Sequence, residues 1–134
     1  MIEVIIYRTK NHEYTGFDVE GHAEYGEYGK DVVCAAASIL VINTINSIAR
    51  FTTDKTSLIQ CSERGLVNFR FEKKASHDAH LLIHSMIYGL QTIEEGYGAD
   101  SGSNLKNKTD SDSDDVVIPV DNINPYIDIT FKEV

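Results

Sequence analysis

Apolar and polar residues alternate loosely over residues 2–9, with many β-branched side chains, and again over 14–20. Lys10, Asn11, His12 and Glu13 form a polar break between the two runs, so the pattern predicts a β-hairpin. Residues 57–61 and 66–72 predict a second hairpin across Ser62-Glu63-Arg64-Gly65, and 126–132 alternate as a last strand. The period lengthens from Val32 to Phe51. Asn43, Asn46, Ser47 and Arg50 share one helical face there, and most of the rest is apolar, which predicts a largely buried helix with Asp31 as N-cap candidate. A second helix is predicted from about Ser76 to Glu95, with Ala79, Leu82, Ile83, Met86, Leu90 and Ile93 as its core stripe. The order β-β-α-β-β-α-β predicts an α/β fold of the α+β type: one mixed sheet of about five strands with two helices packed on it.

Two stretches fit neither period. Residues 21–30 contain Gly21, Gly26 and Gly29, a density that strands and helices avoid, so a mobile loop is expected. Residues 99–115 are mostly Ser, Asp, Asn, Gly and Lys, too poor in apolar groups to order themselves. A short apolar run at 116–120 is interrupted by Pro119. The whole chain, 1–134, therefore reads as a single domain with an acidic flexible insert at 98–125 before the last strand.

Composition narrows the setting. No stretch is expected to reach the roughly 20 apolar residues of a membrane span. The N-terminus has no basic leader ahead of its apolar run, so a cytoplasmic protein without a membrane partner is expected. Cys34 and Cys61 lie outside any Cys-x-x-Cys pair and are expected as thiols. The formal net charge of -9 argues against direct nucleic-acid binding and suits a basic partner, though plain solubility explains it equally well.

The segment from Gly21 to Ser38 carries the candidate chemistry. With Asp31 as cap, Cys34 would lie in the first helical turn, where unpaired amides and the positive dipole end favour an anion. The same amides would suit the oxyanion of a tetrahedral intermediate. His22, leaving the second strand, could fold back on the thiol and serve as base and acid for acyl transfer. Asp31 would either orient that imidazole or merely cap the helix. The plainer alternatives are a small core cysteine and a surface histidine.

Other clusters are weaker. His77, His80 and His84 lie on one stripe of the second helix, opposite its core face, but no carboxylate or cysteine on the stripe completes a ligand set. A solvated or dimer-facing stripe is expected. Asp110, Asp112, Asp114 and Asp121 faintly suggest a calcium loop, but Asp115 stands where its glycine would be needed. No metal and no cofactor are expected. Cys61, ending an apolar strand run, reads as a packing residue.

The string Gly-His-Ala-x-x-Gly-x-x-Gly-x-Asp-x-Val-Cys-Ala-x-x-Ser, from Gly21 to Ser38, resembles the signature of the ribosomal-processing cysteine protease family, Prp. Gln91-Thr92-Ile93-Glu94-Glu95 resembles that family's second helix, and the likeness covers residues 1–97 and the last strand. The resemblance implies a homodimeric hydrolase of the bacterial cytoplasm. Such an enzyme removes the N-terminal extension of large-subunit ribosomal protein twenty-seven, cutting after an aromatic pair. It implies Cys34 as nucleophile, His22 as base, supporting roles for Asp31 and Ser38, and a substrate loop over residues 21–33 containing Gly21, Gly26 and Gly29. Family members are typically shorter, and the acidic stretch at 98–125 departs from their pattern. A non-catalytic ribosome-assembly or peptide-binding module on the same fold is the alternative.

Overall fold

The alternating runs form strands and the longer periods form helices in a computed structural model. It describes residues 1–21, 28–61, 65–95 and 126–134, with the backbone alone over 28–31. The elements are β1 (Ile2–Arg8), β2 (Tyr14–Glu20), α1 (Tyr28–Phe51), β3 (Thr56–Cys61), β4 (Leu66–Phe71), α2 (His77–Glu94) and β5 (Ile127–Glu133). The five strands make one sheet in the order β3-β4-β2-β1-β5. β1 and β5 are parallel, and the other pairs are antiparallel, so the sheet is mixed as expected.

Register explains which side chains go inside. Val4 pairs with Val19, Ile6 with Phe17, Phe17 with Phe69 and Ile2 with Ile127, so all of these share one face of the sheet. That face is buried. Val33, Ala37, Val41 and Ile48 of α1 and Ala79, Ile83, Met86, Leu90 and Ile93 of α2 join the same core. The expected α2 stripe is thus present, with Leu82 only partly buried and Ile87 fully enclosed. Ser76 caps α2: its hydroxyl accepts the Ala79 amide at 3.1 Å, while Asp54 accepts the Ser76 amide at 2.7 Å. At the other end, the Glu94 carboxylate accepts the Ile129 amide at 3.1 Å and ties α2 to β5.

Helix α1 differs from expectation in three ways. It starts at Tyr28, so Asp31 lies within the helix and is not its N-cap. Gly29 opposes helix by only about 1 kcal/mol, and extending an existing helix adds a hydrogen bond for each residue fixed. The helix is also not largely buried: 28% of the Val32–Phe51 window is enclosed, and Ile39, Ile42 and Phe51 are 63%, 44% and 68% exposed. One sheet face and one neighbouring helix cover only part of a helix's circumference. Finally, Val32–Phe51, with a mean hydropathy of 1.9, is long and apolar enough by length and composition to cross a membrane, contrary to the sequence reading. Here its inward residues pack in the shared core. The 98–125 insert and the 116–120 run lie outside the described residues.

On the opposite face of the sheet, one carboxylate joins three strands. Asp18 accepts hydrogen bonds from the Tyr7 hydroxyl at 2.7 Å, Asn68 Nδ2 at 2.6 Å and Arg70 Nη1 at 2.8 Å. Burial pushes the Asp18 carboxyl up, but the hydrogen bonds from Arg70, Tyr7 and Asn68 outweigh it and hold the group below its ordinary value. A carboxyl lowered by folding stabilises the native state above the unfolded value of about 4, and that contribution is lost as pH falls through the folded value. We expect Asp18→Ala to destabilise the protein by about 2 kcal/mol near neutral pH. Urea melts should show the difference from wild type shrinking once pH drops below about 4. A difference unchanged between neutral and strongly acid pH would show that the carboxylate charge is not what the strands use.

Candidate active site

Strand β2 ends at Glu20, and the chain leaves it through Gly21, whose φ of +113° lies outside what other residues readily adopt. A Cβ at Gly21 would collide with the Met1 carbonyl oxygen and crowd Ile2 Cα at 3.2 Å. Here α1 passes over the sheet. Between them lies a cleft of about 540 Å³, within the range of small-molecule and peptide side-chain sites. Cys34, Ser38 and Ile42 of α1 form one wall. Gly21, Val19 and Ile2 form another, and Gln60, Cys61, Leu66 and Val67 close the side toward β3 and β4. The lining is mainly apolar, with two thiols, a hydroxyl and an amide set into it.

Three of the expected site residues meet in this cleft: Cys34, which is partly buried, Ser38, which is exposed, and Gly21. His22 follows Gly21 directly in sequence, but it and Gly26 lie outside the described residues. Gly29 and Asp31 fall in the first turn of α1, where only the backbone is described. The early start of the helix moves Cys34 into the second turn. Its amide is therefore inside the helical ladder, not among the first four unpaired ones, and the dipole end acts on it more weakly. The expectation that helix amides beside Cys34 receive an oxyanion is corrected accordingly.

The structure adds cleft residues that the sequence pattern marked only as strand or packing positions. Cys61 lines the same cleft as Cys34, as do Gln60, Leu66 and Val67. Periodicity marks such residues as strand, but it does not say which strand end lies beneath the start of α1. No disulfide joins the two cysteines.

The histidine stripe is solvated in part: His77 is exposed, while His80 and His84 also contact the first hairpin. The His80 ring stacks on Tyr14 with centroids 4.5 Å apart, and its Nε2 donates to the His12 carbonyl at 3.3 Å. The Tyr14 hydroxyl meets His84 Nδ1 at 3.1 Å. These contacts hold the β1–β2 hairpin to α2. Among the described residues, no group of three or more His, Cys, Asp or Glu side chains is placed to hold a metal ion.

Gly21 is the backbone pivot at the cleft, so Gly21→Ala should destabilise the fold by about 1–3 kcal/mol through positive φ and the clash with Met1. Thermal denaturation checks this. An unchanged melting temperature would mean that the strand end relaxes without strain.

A sequence model of the family described as Cysteine protease Prp matches residues 1–101. The chain is 33% identical over 106 residues to the ribosomal processing cysteine protease Prp of Staphylococcus aureus, covering 79% of this chain and all of that one. It is 32% identical over 101 residues to the Bacillus subtilis protein of the same name, covering 72% of this chain and 90% of that one. Its fold matches the crystal structure of an essential ribosomal processing protease Prp from S. aureus in complex with a substrate peptide. There the TM-score is 0.74 at 26% identity, covering 98% of this chain and 100% of that one. The same S. aureus protease with a covalently linked product peptide matches with a TM-score of 0.72 at 26% identity, over the same shares of the two chains.

Proposed function

The chain belongs to the family of ribosomal processing cysteine proteases, Prp, and from that premise we propose that Cys34 is its nucleophile and His22 its general base. The observation that carries this reading is that Cys34 lines one cleft together with Gly21, the residue that precedes His22 in the sequence. In the reaction His22 takes the proton of Cys34 Sγ, and the thiolate attacks the carbonyl carbon of the scissile bond. Collapse of the tetrahedral intermediate breaks the C–N bond as His22 returns the proton to the leaving amine. Water then cleaves the thioester, releasing the acid and restoring the thiol. Ser38, one turn beyond Cys34, brings a hydroxyl to the same cleft.

The substrate in this reading is the N-terminal extension of large-subunit ribosomal protein twenty-seven, cut in the cytoplasm after an aromatic pair. The apolar cleft walls suit large apolar side chains, and the net charge of -9 favours encounter with a basic ribosomal protein. Incubating the protein with a synthetic peptide spanning that extension, and following its mass, tests the proposal. Wild type should cleave after the aromatic pair, Cys34→Ala should not, and His22→Ala should slow turnover by about 10²–10⁴-fold. Tight binding of the peptide by wild type without any cleavage would instead identify a binding module.

The active form in this reading is a homodimer. Its support is the outward stripe of α1, where Ile39 and Ile42 remain exposed and Arg50 is the single charge between Val32 and Phe51. Sedimentation equilibrium should show a dimer for wild type and a monomer for Ile39→Lys. A monomeric wild type would overturn it.

A further inference from the structure

The two edges of the sheet are built differently. The β5 edge carries Asp128, Lys132 and Glu133, the charges that usually guard an edge against strand addition. The β3 edge, Thr56-Ser57-Leu58-Ile59-Gln60-Cys61, has no charge and no proline. Its Leu58 is 41% exposed and its Ile59 64% exposed. Among the described residues, no strand lies outside β3.

Register shows which main-chain groups this edge offers. The Glu72 amide donates to the Lys55 carbonyl at 2.9 Å, and the ladder continues with Thr56 opposite Phe71. Hydrogen-bonded and non-hydrogen-bonded pairs alternate in an antiparallel ladder. Ser57, Ile59 and Cys61 therefore turn their N–H and C=O groups toward β4. Thr56, Leu58 and Gln60 turn theirs outward. Leu58 and Gln60 lie opposite Phe69 and Val67, which puts their side chains on the helix-covered face, and Gln60 lines the cleft that holds Cys34.

We propose that the outer edge of β3 is the docking strand for the substrate, an extended, apolar-rich peptide that pairs with the main chain of Leu58 and Gln60 and runs into the Cys34 cleft. The inference rests on the protease reading and deepens it. An unfolded N-terminal segment suits this edge because its own main-chain groups are unpaired and its alternate side chains can pack on Leu58 and Ile59. The edge is continuous with the cleft through Gln60 and Cys61, and Ile39 of α1, which does not line the cleft, offers a surface for a second copy.

Proline separates the main-chain contribution from the side-chain one. At Leu58 it removes an outward N–H without touching the β3–β4 ladder, and proline is tolerated in sheets at such edge positions. With the synthetic extension peptide as substrate, Leu58→Pro should lower kcat/KM about tenfold below Leu58→Ala, mainly by raising KM. Melting temperature and the rate of Cys34 alkylation by iodoacetamide should match those of Leu58→Ala. If Leu58→Pro does not fold, backbone N-methylation of the peptide, one residue at a time against wild type, carries the test. Loss of cleavage at alternate positions supports the docking strand, and a flat scan overturns it. Equal kcat/KM for the proline and alanine variants also overturns it, as does a dimer that Leu58→Pro dissociates while cleavage persists. Should wild type cleave nothing, the protease reading fails separately. The Kd of the peptide for Cys34→Ala, with and without Leu58→Pro, then still decides whether the edge binds it.

Discussion

The stack of Phe17 on Phe69, with ring centroids 5.0 Å apart and both side chains fully enclosed, is the contact on which the rest of the sheet depends. The two residues are direct register partners, so their packing fixes how β2 lies on β4. A shift of one residue would turn one of the two strands over, sending either Phe17 and Val19 or Val67 and Phe69 to solvent and bringing Asp18 or Arg70 inside. The cost of burying either charge in the core rules the alternative out. Once the register is set, Val19 and Val67 stand side by side at the cleft floor, and Gly21 and Leu66 at its rim.

The two faces of the sheet then do different work. The inner face is apolar and holds both helices, while the outer face carries the Tyr7–Asp18–Asn68–Arg70 cluster, in which the three side chains that donate to Asp18 come from the neighbouring strands. Arg70 also lies over the Tyr7 ring, 4.4 Å from its centre. That cluster reinforces the same register from the solvent side, with directional hydrogen bonds where the inner face has only shape.

Chemistry gathers at one end of this frame. The N-terminal half of α1 crosses the ends of β2 and β3 and the start of β4, and it leaves a space where a thiol, a hydroxyl and the exit of β2 meet. The other end is closed by Tyr14, His80 and His84, which pin the first hairpin to α2. Two histidines of the surface stripe, His80 and His84, thus also serve the scaffold, and the residues that looked like plain strand, Gln60 and Cys61, lie at the cleft.

The sequence by itself determined the element order, both hairpins, the core stripe of α2 and the grouping of Gly21, His22, Cys34 and Ser38 in one short segment. Local periodicity and turn residues act over a few positions, so they can be read without knowing the fold. The family likeness was legible for the same reason, since its spaced positions lie within that one segment. Only the tertiary structure decided where α1 begins, because helix extension depends on what the added turn packs against as well as on the Gly29 it contains. It also decided that α1 leaves Ile39 and Ile42 in the open, that His80 stacks on Tyr14, and that Gln60 and Cys61 face the same cleft as Cys34. Those facts join residues far apart in the chain, and contacts of that kind follow from strand order and register, which no local pattern contains.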